Sequence, residues 1–424
     1  MDMRHTRRGS TLRTALAMAV VVVGITAGFA VPAAAQLTPQ DYPQWRGSSR
    51  DGSASAFATP KTWPDALTLK WKVDVGAGYA TPIVVGNRLY TLTRQNGDEV
   101  MMALDAGTGK TVWQTPYAAP YKMNPATRSH GDGPKSTPLY YDGKLYTMGI
   151  SGIVSAFDAS TGKLMWQKPA PSADPIFGTG MSPVADRGLV IFHVGGHNQG
   201  ALTAFDANTG AVKWAWAGDG PGYGSPVVVD LDGTRQVITI TQKKVIGVDA
   251  ATGQLLWERP FVARADTNSF TPIIYDGTII VSAHDAGVSA FRPMKRNNQW
   301  GFDMVWENAE VEMKLSNPVV VGDTLYGFSQ KNSGQYFALD VKTGKVLWLG
   351  KTREATHASL VKAGDLIFLL NDDAQLTVAK GSRTGFEPVH KYTVAESATW
   401  AQPTLSRNRI FVKDLTTLAL WTVD

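Results

Sequence analysis

Short apolar runs alternate with turn residues through residues 68–424. Each unit holds two apolar runs across a tight turn, as in IVVGNRLYTL and LYYDGKLYTM. A further apolar run then ends in Asp, and a Thr-Gly turn leads to a run that carries an aromatic residue. Apolar runs of this length, bounded by Gly, Asn and Asp, predict β-strands joined by hairpins. The pattern therefore predicts four short strands in each unit.

A shared motif ties the units together. It reads ALDAGTGKTVW at 103–113, AFDASTGKLMW at 156–166, AFDANTGAVKW at 204–214, GVDAATGQLLW at 247–257 and ALDVKTGKVLW at 338–348. The Asp can accept N–H bonds across the turn, and the Gly permits a positive φ. The Trp is a large apolar plate that suits the gap between adjacent units.

Counting the units gives a closed ring. Seven small-Pro steps and Ser359-Leu360 open the units, with the prolines at 82, 138, 183, 226, 272, 318 and 403. Eight aromatic residues close them: Trp71, Trp113, Trp166, Trp214, Trp257, Trp306, Trp348 and Tyr392. The closing spacings run from 42 residues (71 to 113) to 53 (113 to 166), which is typical of propeller blades. We expect an all-β, eight-bladed propeller, closed by the N-terminal strand around Trp71 pairing into the blade begun at Pro403.

The N-terminus has the features of an export signal. Basic residues, an apolar run from Ala15 to Val31 and the site Ala33-Ala34-Ala35 predict a signal peptide over residues 1–35, cleaved after Ala35. An N-terminal extension over 36–67 and the propeller over 68–424 would follow. Arg7-Arg8 leaves the twin-arginine route open beside general secretion. We therefore expect a periplasmic or secreted protein.

Composition narrows the possible partners. The chain has no cysteine, so it offers no disulfide and no thiol for a lipid anchor. Its net charge of +5 becomes +2 without the signal (37 basic and 35 acidic residues). Such a balance gives no indication of nucleic-acid binding. We expect a monomeric ring whose partner is a cell-envelope protein or a small molecule.

The repeats and the N-terminal sequence YPQWRG (42–47) resemble the pyrroloquinoline-quinone-like (PQQ-like) β-propeller family. One branch of that family is the scaffold subunit of the outer-membrane β-barrel assembly machinery, a non-catalytic lipoprotein. The other branch is the quinoprotein dehydrogenases, which hold PQQ and a metal at the ring axis. This chain lacks the anchor cysteine of the first branch. It also lacks the adjacent cysteines and long inserted loops of the second, and its repeats are structural in both branches.

The loops before each opening step predict a site around the ring axis. Cations there would suit the carboxylates of an acidic planar cofactor such as PQQ, and an aromatic plate would stack on its ring. The alternative is a channel lining without a ligand. The candidate binding residues are Tyr79, Arg128, His130, Lys135, Tyr223, Lys314, His357 and Trp400.

Catalytic chemistry has less support in the sequence. Calcium and a general base would need acids, and the axial loops offer Asp132, Asp285, Asp372 and Asp414 without a motif spacing. No metal site is predicted, since His193-x-x-x-His197 has no evident third ligand. No catalytic residue is assigned.

Two irregular segments stand out from the repeats. The connection from Gln114 to Lys135 is long and rich in Pro, Tyr and Gly, which is typical of a functional or disordered loop. In the fifth unit FRPMKR (291–296) replaces the Asp-to-Gly turn, as a degenerate turn or as a basic contact for a partner.

Three functions are compatible with these observations. The first is an exported, non-catalytic propeller that binds a protein or small ligand on its axial face. The second is a PQQ-dependent alcohol or sugar dehydrogenase, with calcium. The third is a carbohydrate-binding propeller, because exposed aromatic residues can stack on sugars.

Overall fold

The strands form a closed eight-bladed ring. The computed structural model describes Met1, Met3, residues 36–173 and residues 176–424. The predicted signal peptide lies, apart from those two methionines, outside the described residues. Eight separate four-stranded antiparallel sheets follow one another along the chain, which confirms the predicted eight-bladed β-propeller.

The first strand, β1, spans Thr68–Asp74, and blades one to seven are each built from the next four consecutive strands. Blades one to four comprise β2 Ile83–Val85, β3 Arg88–Gln95, β4 Asp98–Asp105, β5 Thr111–Ala118, β6 Leu139–Tyr141, β7 Lys144–Met148, β8 Val154–Asp158, β9 Leu164–Lys168, β10 Val184–Asp186, β11 Leu189–Gly196, β12 Gln199–Asp206, β13 Val212–Trp216, β14 Val227–Leu231, β15 Thr234–Ile240, β16 Lys244–Asp249 and β17 Leu255–Pro260.

The later blades follow the same order, and β1 completes the eighth. They comprise β18 Ile273–Tyr275, β19 Thr278–Ala283, β20 Gly287–Arg296, β21 Gln299–Asn308, β22 Val319–Val321, β23 Thr324–Ser329, β24 Gln335–Asp340, β25 Val346–Leu349, β26 Ala358–Ala363, β27 Leu366–Asn371, β28 Gln375–Ser382, β29 Gly385–Thr393, β30 Thr404–Ser406, β31 Arg409–Lys413 and β32 Thr417–Thr422. Three short 3₁₀ helices are also described, at Pro125–His130, Arg264–Asp266 and Lys331–Ser333.

Blade eight joins the two ends of the chain. Its strand order is β1-β32-β31-β30, with Trp71 opposite Leu420 and Asp74 opposite Thr417. The Thr68 hydroxyl also donates to the Asp424 carbonyl at 2.6 Å. This pairing confirms the predicted closure by the strand around Trp71, and it covers a blade edge that would otherwise be open to association.

The repeated motif builds the joints between blades. In blade one, the Asp105 carboxylate accepts the N–H groups of Gly107 (3.1 Å) and Thr108 (2.9 Å), as the sequence predicts. The indole of Trp166 in blade two donates to the carbonyl of Ala207 in the turn of blade three, at 3.1 Å. Equivalent bonds leave Trp71, Trp113, Trp214 and Trp306. Most motifs therefore brace their own turn and reach the turn of the next blade. Trp257 is an exception, since its indole donates to Gln236 of its own blade at 2.8 Å.

The motif glycine makes this contact possible. Gly210 has a φ of +68°, and a Cβ added there would lie 2.6 Å from the Trp166 ring. Only a residue without a side chain allows the ring to lie flat against the turn. The apolar core follows the same joints, since Ile191 of blade three packs in one cluster with Val237 and Ile246 of blade four.

Blade five departs from this pattern. Where the other motifs turn sharply, β20 and β21 continue as a long hairpin of two ten-residue strands. At its tip, Lys295 lies 5.0 Å from the Trp300 ring and donates to Thr234 of blade four, while Arg296 pairs with Asp303. The segment read as a degenerate turn or basic contact is therefore an extended hairpin whose cations are engaged within the protein.

No helix in the described part of the chain combines the length and apolar character needed to cross a membrane.

Candidate functional site: an axial funnel

A belt of small polar side chains surrounds the ring axis. At six of the eight opening steps, the N–H of one blade donates to the side chain at the same step of the next blade. The bonds run from Gln402 to Thr81, Thr81 to Thr137, Thr137 to Ser182, Ser182 to Ser225, Ser225 to Thr271 and Thr271 to Asn317, at 2.8–3.3 Å. A proline has no N–H to donate, and it holds the residue before it in an extended conformation. The N–H of that preceding residue can therefore bond to the neighbouring blade. These bonds explain why a small polar residue precedes the proline at most opening steps.

Above this belt lies a cavity of about 510 Å³. Seven of the eight candidate binding residues line it: Tyr79, His130, Lys135, Tyr223, Lys314, His357 and Trp400. Arg128 does not; it is an exposed residue of the helix Pro125–His130. We call this cavity the axial funnel. Its volume is in the range of small-molecule sites.

One wall of the funnel is an aromatic stack. The His357 imidazole lies parallel to the Trp400 ring, with centroids 4.7 Å apart and 15° between the planes. His130 meets the same indole edge-on at 4.3 Å. Burial lowers the pKa of His357 to about 4 and also lowers that of His130. Both rings are therefore neutral at pH 7, and they hold Trp400 without adding charge.

Lys135 lies half-buried beside a second aromatic pair. The rings of Phe177 and Tyr223 are 6.2 Å apart, and the Lys135 ammonium donates to the Phe177 carbonyl at 3.0 Å. Burial lowers the pKa of Lys135 to about 8. The Lys135 ammonium therefore keeps its positive charge at neutral pH, and a bound anion would stabilise that charged form further.

The charge of the funnel is one-sided. Lys135, Lys314 and Arg264 contribute cations, and among the described residues that line the cavity there is no Asp or Glu. Arg264 also approaches Asp285, at 3.6 Å. A concave, partly apolar site with unbalanced cations favours an anionic group on whatever enters it.

The four acids predicted for the axial loops have other partners. Asp132 pairs with Arg94 at 3.2 Å, and Asp414 accepts the N–H of Thr417 at 2.7 Å. Asp372 accepts the N–H of Thr356 at 3.1 Å, and so caps the turn before blade seven. Three of these carboxylates are therefore structural.

The fourth, Asp285, belongs to a small cluster. Ligand atoms of His284, Asp285 and Glu312 lie within 4.8 Å of one another, a separation that could suit a metal ion. However, Lys331 lies 3.8 Å from the buried Glu312 carboxylate, and Arg264 faces Asp285. These cations already balance the two negative charges. In the sequence His193-x-x-x-His197, the Nε2 of the buried His193 contacts the Asp219 carbonyl at 3.1 Å, and His197 contacts the Gln242 side chain at 2.7 Å.

Several lining residues were missed from the sequence. The long connection from Gln114 to Lys135 supplies Ala126 and Thr127 through its 3₁₀ helix, beside the predicted His130. Phe177, Arg264 and His284 come from other loops that carry no periodic signal. Trp45 comes from the N-terminal extension, and its place in the YPQWRG motif was the one available indication.

Comparison with known proteins gives two groups of relatives. The family model described as outer membrane protein assembly factor BamB matches residues 96–349. BamB of Burkholderia pseudomallei is 27% identical over 363 residues, which cover 75% of this chain and 87% of that protein. The dehydrogenase subunit of alcohol dehydrogenase (quinone) from Komagataeibacter europaeus is 33% identical over 160 residues, or 35% of this chain. The matched region spans about a fifth (21%) of that subunit.

A solved structure shows the same fold. BamB from Moraxella catarrhalis superposes with a TM-score of 0.61 at 17% identity, covering 84% of this chain and all of that one.

Proposed function

The chain belongs to the family of the outer membrane protein assembly factor BamB, and from that premise we propose that it is an exported, non-catalytic β-propeller. In this proposal it binds a cell-envelope protein or a small ligand on its axial face. The extent of the matches supports the choice, because the BamB relative is matched over 87% of its length and the dehydrogenase subunit over 21%. The proposed location is the periplasm.

The observation that carries the proposal is the axial funnel. An indole in contact with two neutral imidazoles, one stacked and one edge-on, presents a rigid apolar surface, and such aromatic anchors dominate binding energies at interfaces. The cations of Lys135 and Lys314 lie in the same cavity. A peptide that inserts an aromatic side chain beside an acidic one, or a small molecule that carries both groups, would satisfy both features.

The test replaces Tyr223, at the funnel wall, with the photo-reactive residue p-benzoylphenylalanine in the exported protein. Irradiation of cells should join it to one defined envelope protein. The double variant His357→Ala, Trp400→Ala should abolish that product while its circular dichroism and thermal unfolding stay close to those of the parent.

The matched control carries the photo-reactive residue at Trp300, on the hairpin of blade five, and should not give the same product. Equal cross-linking from Trp300, or a product that persists in the double variant, would exclude the axial funnel as the protein-binding site.

A PQQ-dependent oxidoreductase is the second candidate, favoured by the cationic and aromatic lining. The residues fit the group in part: Lys135 and Lys314 would hold its carboxylates, and Trp400 would stack on its ring. When bound, PQQ would supply the capacity to accept two electrons from an alcohol or sugar. The cluster of His284, Asp285 and Glu312 is the available place for calcium, and it already faces two cations.

Titration with PQQ, with and without calcium, separates the two candidates. Saturable binding and a raised melting temperature, together with dye reduction on a panel of alcohols and aldoses, would support the oxidoreductase. Unchanged melting and no turnover would leave the non-catalytic propeller.

A further inference from the structure

The N-terminal extension crosses the ring axis below the funnel. We call residues 41–57 the hub segment. It is joined by hydrogen bonds or backbone bridges to seven of the eight blades, through Val84, Tyr140, Pro183, Thr271, Pro318, Lys362 and Arg407. A segment bonded to nearly the whole ring has one available position, so its side chains are fixed relative to the blades.

Two buried arginines fix the centre of the hub segment. Arg46 is fully buried and donates to the Pro318 carbonyl of blade six at 2.6 Å. Arg50, 5% exposed, donates to the carbonyls of Pro183 (2.8 Å) and Ser182 (3.1 Å) in blade three. Charge-assisted bonds to buried carbonyls are among the stronger ones in proteins. They tie the segment to two distant blades.

The turn between the arginines is tight. Gly47 has a φ of +78°, and a Cβ added there would lie 2.4 Å from the Ser53 carbonyl oxygen. A residue with a side chain would push the turn apart. The backbone that follows Trp45 is therefore held by the arginine bonds and by this turn.

Trp45 is the part of the hub segment that reaches the funnel. Its indole N–H donates to the Thr271 hydroxyl of the polar belt at 3.0 Å, and its ring lines the cavity. The neighbouring Tyr42 and Arg46 are buried, whereas Trp45 is half-buried. The indole thus lies across the neck of the funnel, where the opening steps of the blades converge.

We propose that Trp45 forms the floor of the axial funnel and is a specificity-determining residue. The hub segment, held by Arg46 and Arg50, would then set how deeply a ligand can enter, while the blades supply the walls. The inference rests on the proposed function in one respect, since it assigns the size limit of the same binding site.

The first test needs no ligand. The chain has no cysteine, so Thr271→Cys introduces a single thiol at the contact with Trp45. Adding Trp45→Ala should speed its reaction with iodoacetamide at least about tenfold, because the cover is removed. Trp45→Phe, which keeps most of the bulk, should fall between the two and serves if the alanine variant does not fold. Equal rates in all three proteins would overturn the proposal.

The second test measures size selectivity with benzoate, 2-naphthoate and 1-anilinonaphthalene-8-sulfonate as probes. Trp45→Ala should favour the larger probes over benzoate by roughly tenfold relative to the parent, as more apolar surface is buried. Trp63→Ala is the matched control: this tryptophan of the same extension packs on Phe57 and Phe368 and does not line the funnel.

The outcomes separate the two proposals. An unchanged size order in Trp45→Ala would overturn the role of the floor. If no probe binds the parent, small-ligand binding fails, and the thiol rates alone decide whether Trp45 closes the funnel.

Discussion

The joints between blades and the axial funnel use repetition in opposite ways. At the joints, one arrangement of Asp, Gly and Trp recurs with nearly constant geometry, from the Trp71–Ala106 contact to the Trp306–Val341 contact. Around the funnel, the residues at equivalent positions differ from blade to blade, from Tyr79 and Lys135 to Tyr223 and His357. The same stabilising contact can therefore recur at successive joints, whereas a selective binding site requires different residues at the equivalent positions of the blades.

The largest effect is expected at a joint. Trp166→Ala removes a ring that is 8% exposed and packs between blades two and three. We expect the free energy of unfolding to fall by about 3–5 kcal/mol, as measured by denaturant titration. Trp300→Ala, on the hairpin of blade five, should lower the free energy of unfolding far less. Similar losses in both would contradict the view that the motif tryptophans hold the ring.

An intermediate effect is expected in the funnel. Lys135 has a pKa of about 8, so its charge is lost as pH rises through that value. Binding of 2-naphthoate should weaken by roughly tenfold between pH 7 and pH 9, since the ion pair disappears. Calorimetric titration should find this slope absent in Lys135→Met and shifted to higher pH in Lys135→Arg. A slope that survives in Lys135→Met would assign the anion to another cation.

The smallest effect concerns a buried acid, Glu99, at the joint between blades one and two. Glu99 of blade one is fully buried and accepts the Tyr117 hydroxyl (2.7 Å) and the Ile150 N–H of blade two (2.6 Å). Burial raises its pKa above the ordinary 4.5. The folded state therefore binds this proton more tightly than the unfolded state, and stability is lost as pH rises from about 4.5 through the raised pKa.

Glu99→Gln should remove that loss. The variant should be more stable than the parent at pH 7 by about 1 kcal/mol or less, and the two should converge near pH 4. Chemical unfolding at several pH values would measure it. A parent whose stability rises across this range at the same rate as the variant would show that Glu99 is not the group responsible.

The repeating part of the fold was predictable from the sequence. The spacing of Trp71 and Pro403 predicted the closing blade because a ring of equal units leaves one partner for each edge. The rim positions followed from the same symmetry, which explains why seven of eight candidates line the funnel. Both the closing blade and the rim positions follow from the local periodicity, so the sequence alone is enough to predict them.

The remaining features depend on contacts that no repeat encodes. Arg128 was placed at the rim by its loop, but the 3₁₀ helix turns its side chain outside the lining. Trp45 lies 226 residues from its partner Thr271, and no local pattern indicates such a contact. In blade five the sequence left FRPMKR open as a degenerate turn or a basic contact, and the structure has two long strands there.

The pairing of β1 with β32 has a consequence for how the protein folds. Thr68 and Asp424 are separated by 356 residues, and Tyr42 and Gln402 by 360. Contacts of such separation are costly in loop-closure entropy and form late. Strand β1 therefore stays unpaired until β32 has been synthesised. During that time β1 presents an unpaired strand edge, which chaperones, proteases or other copies of the protein can bind.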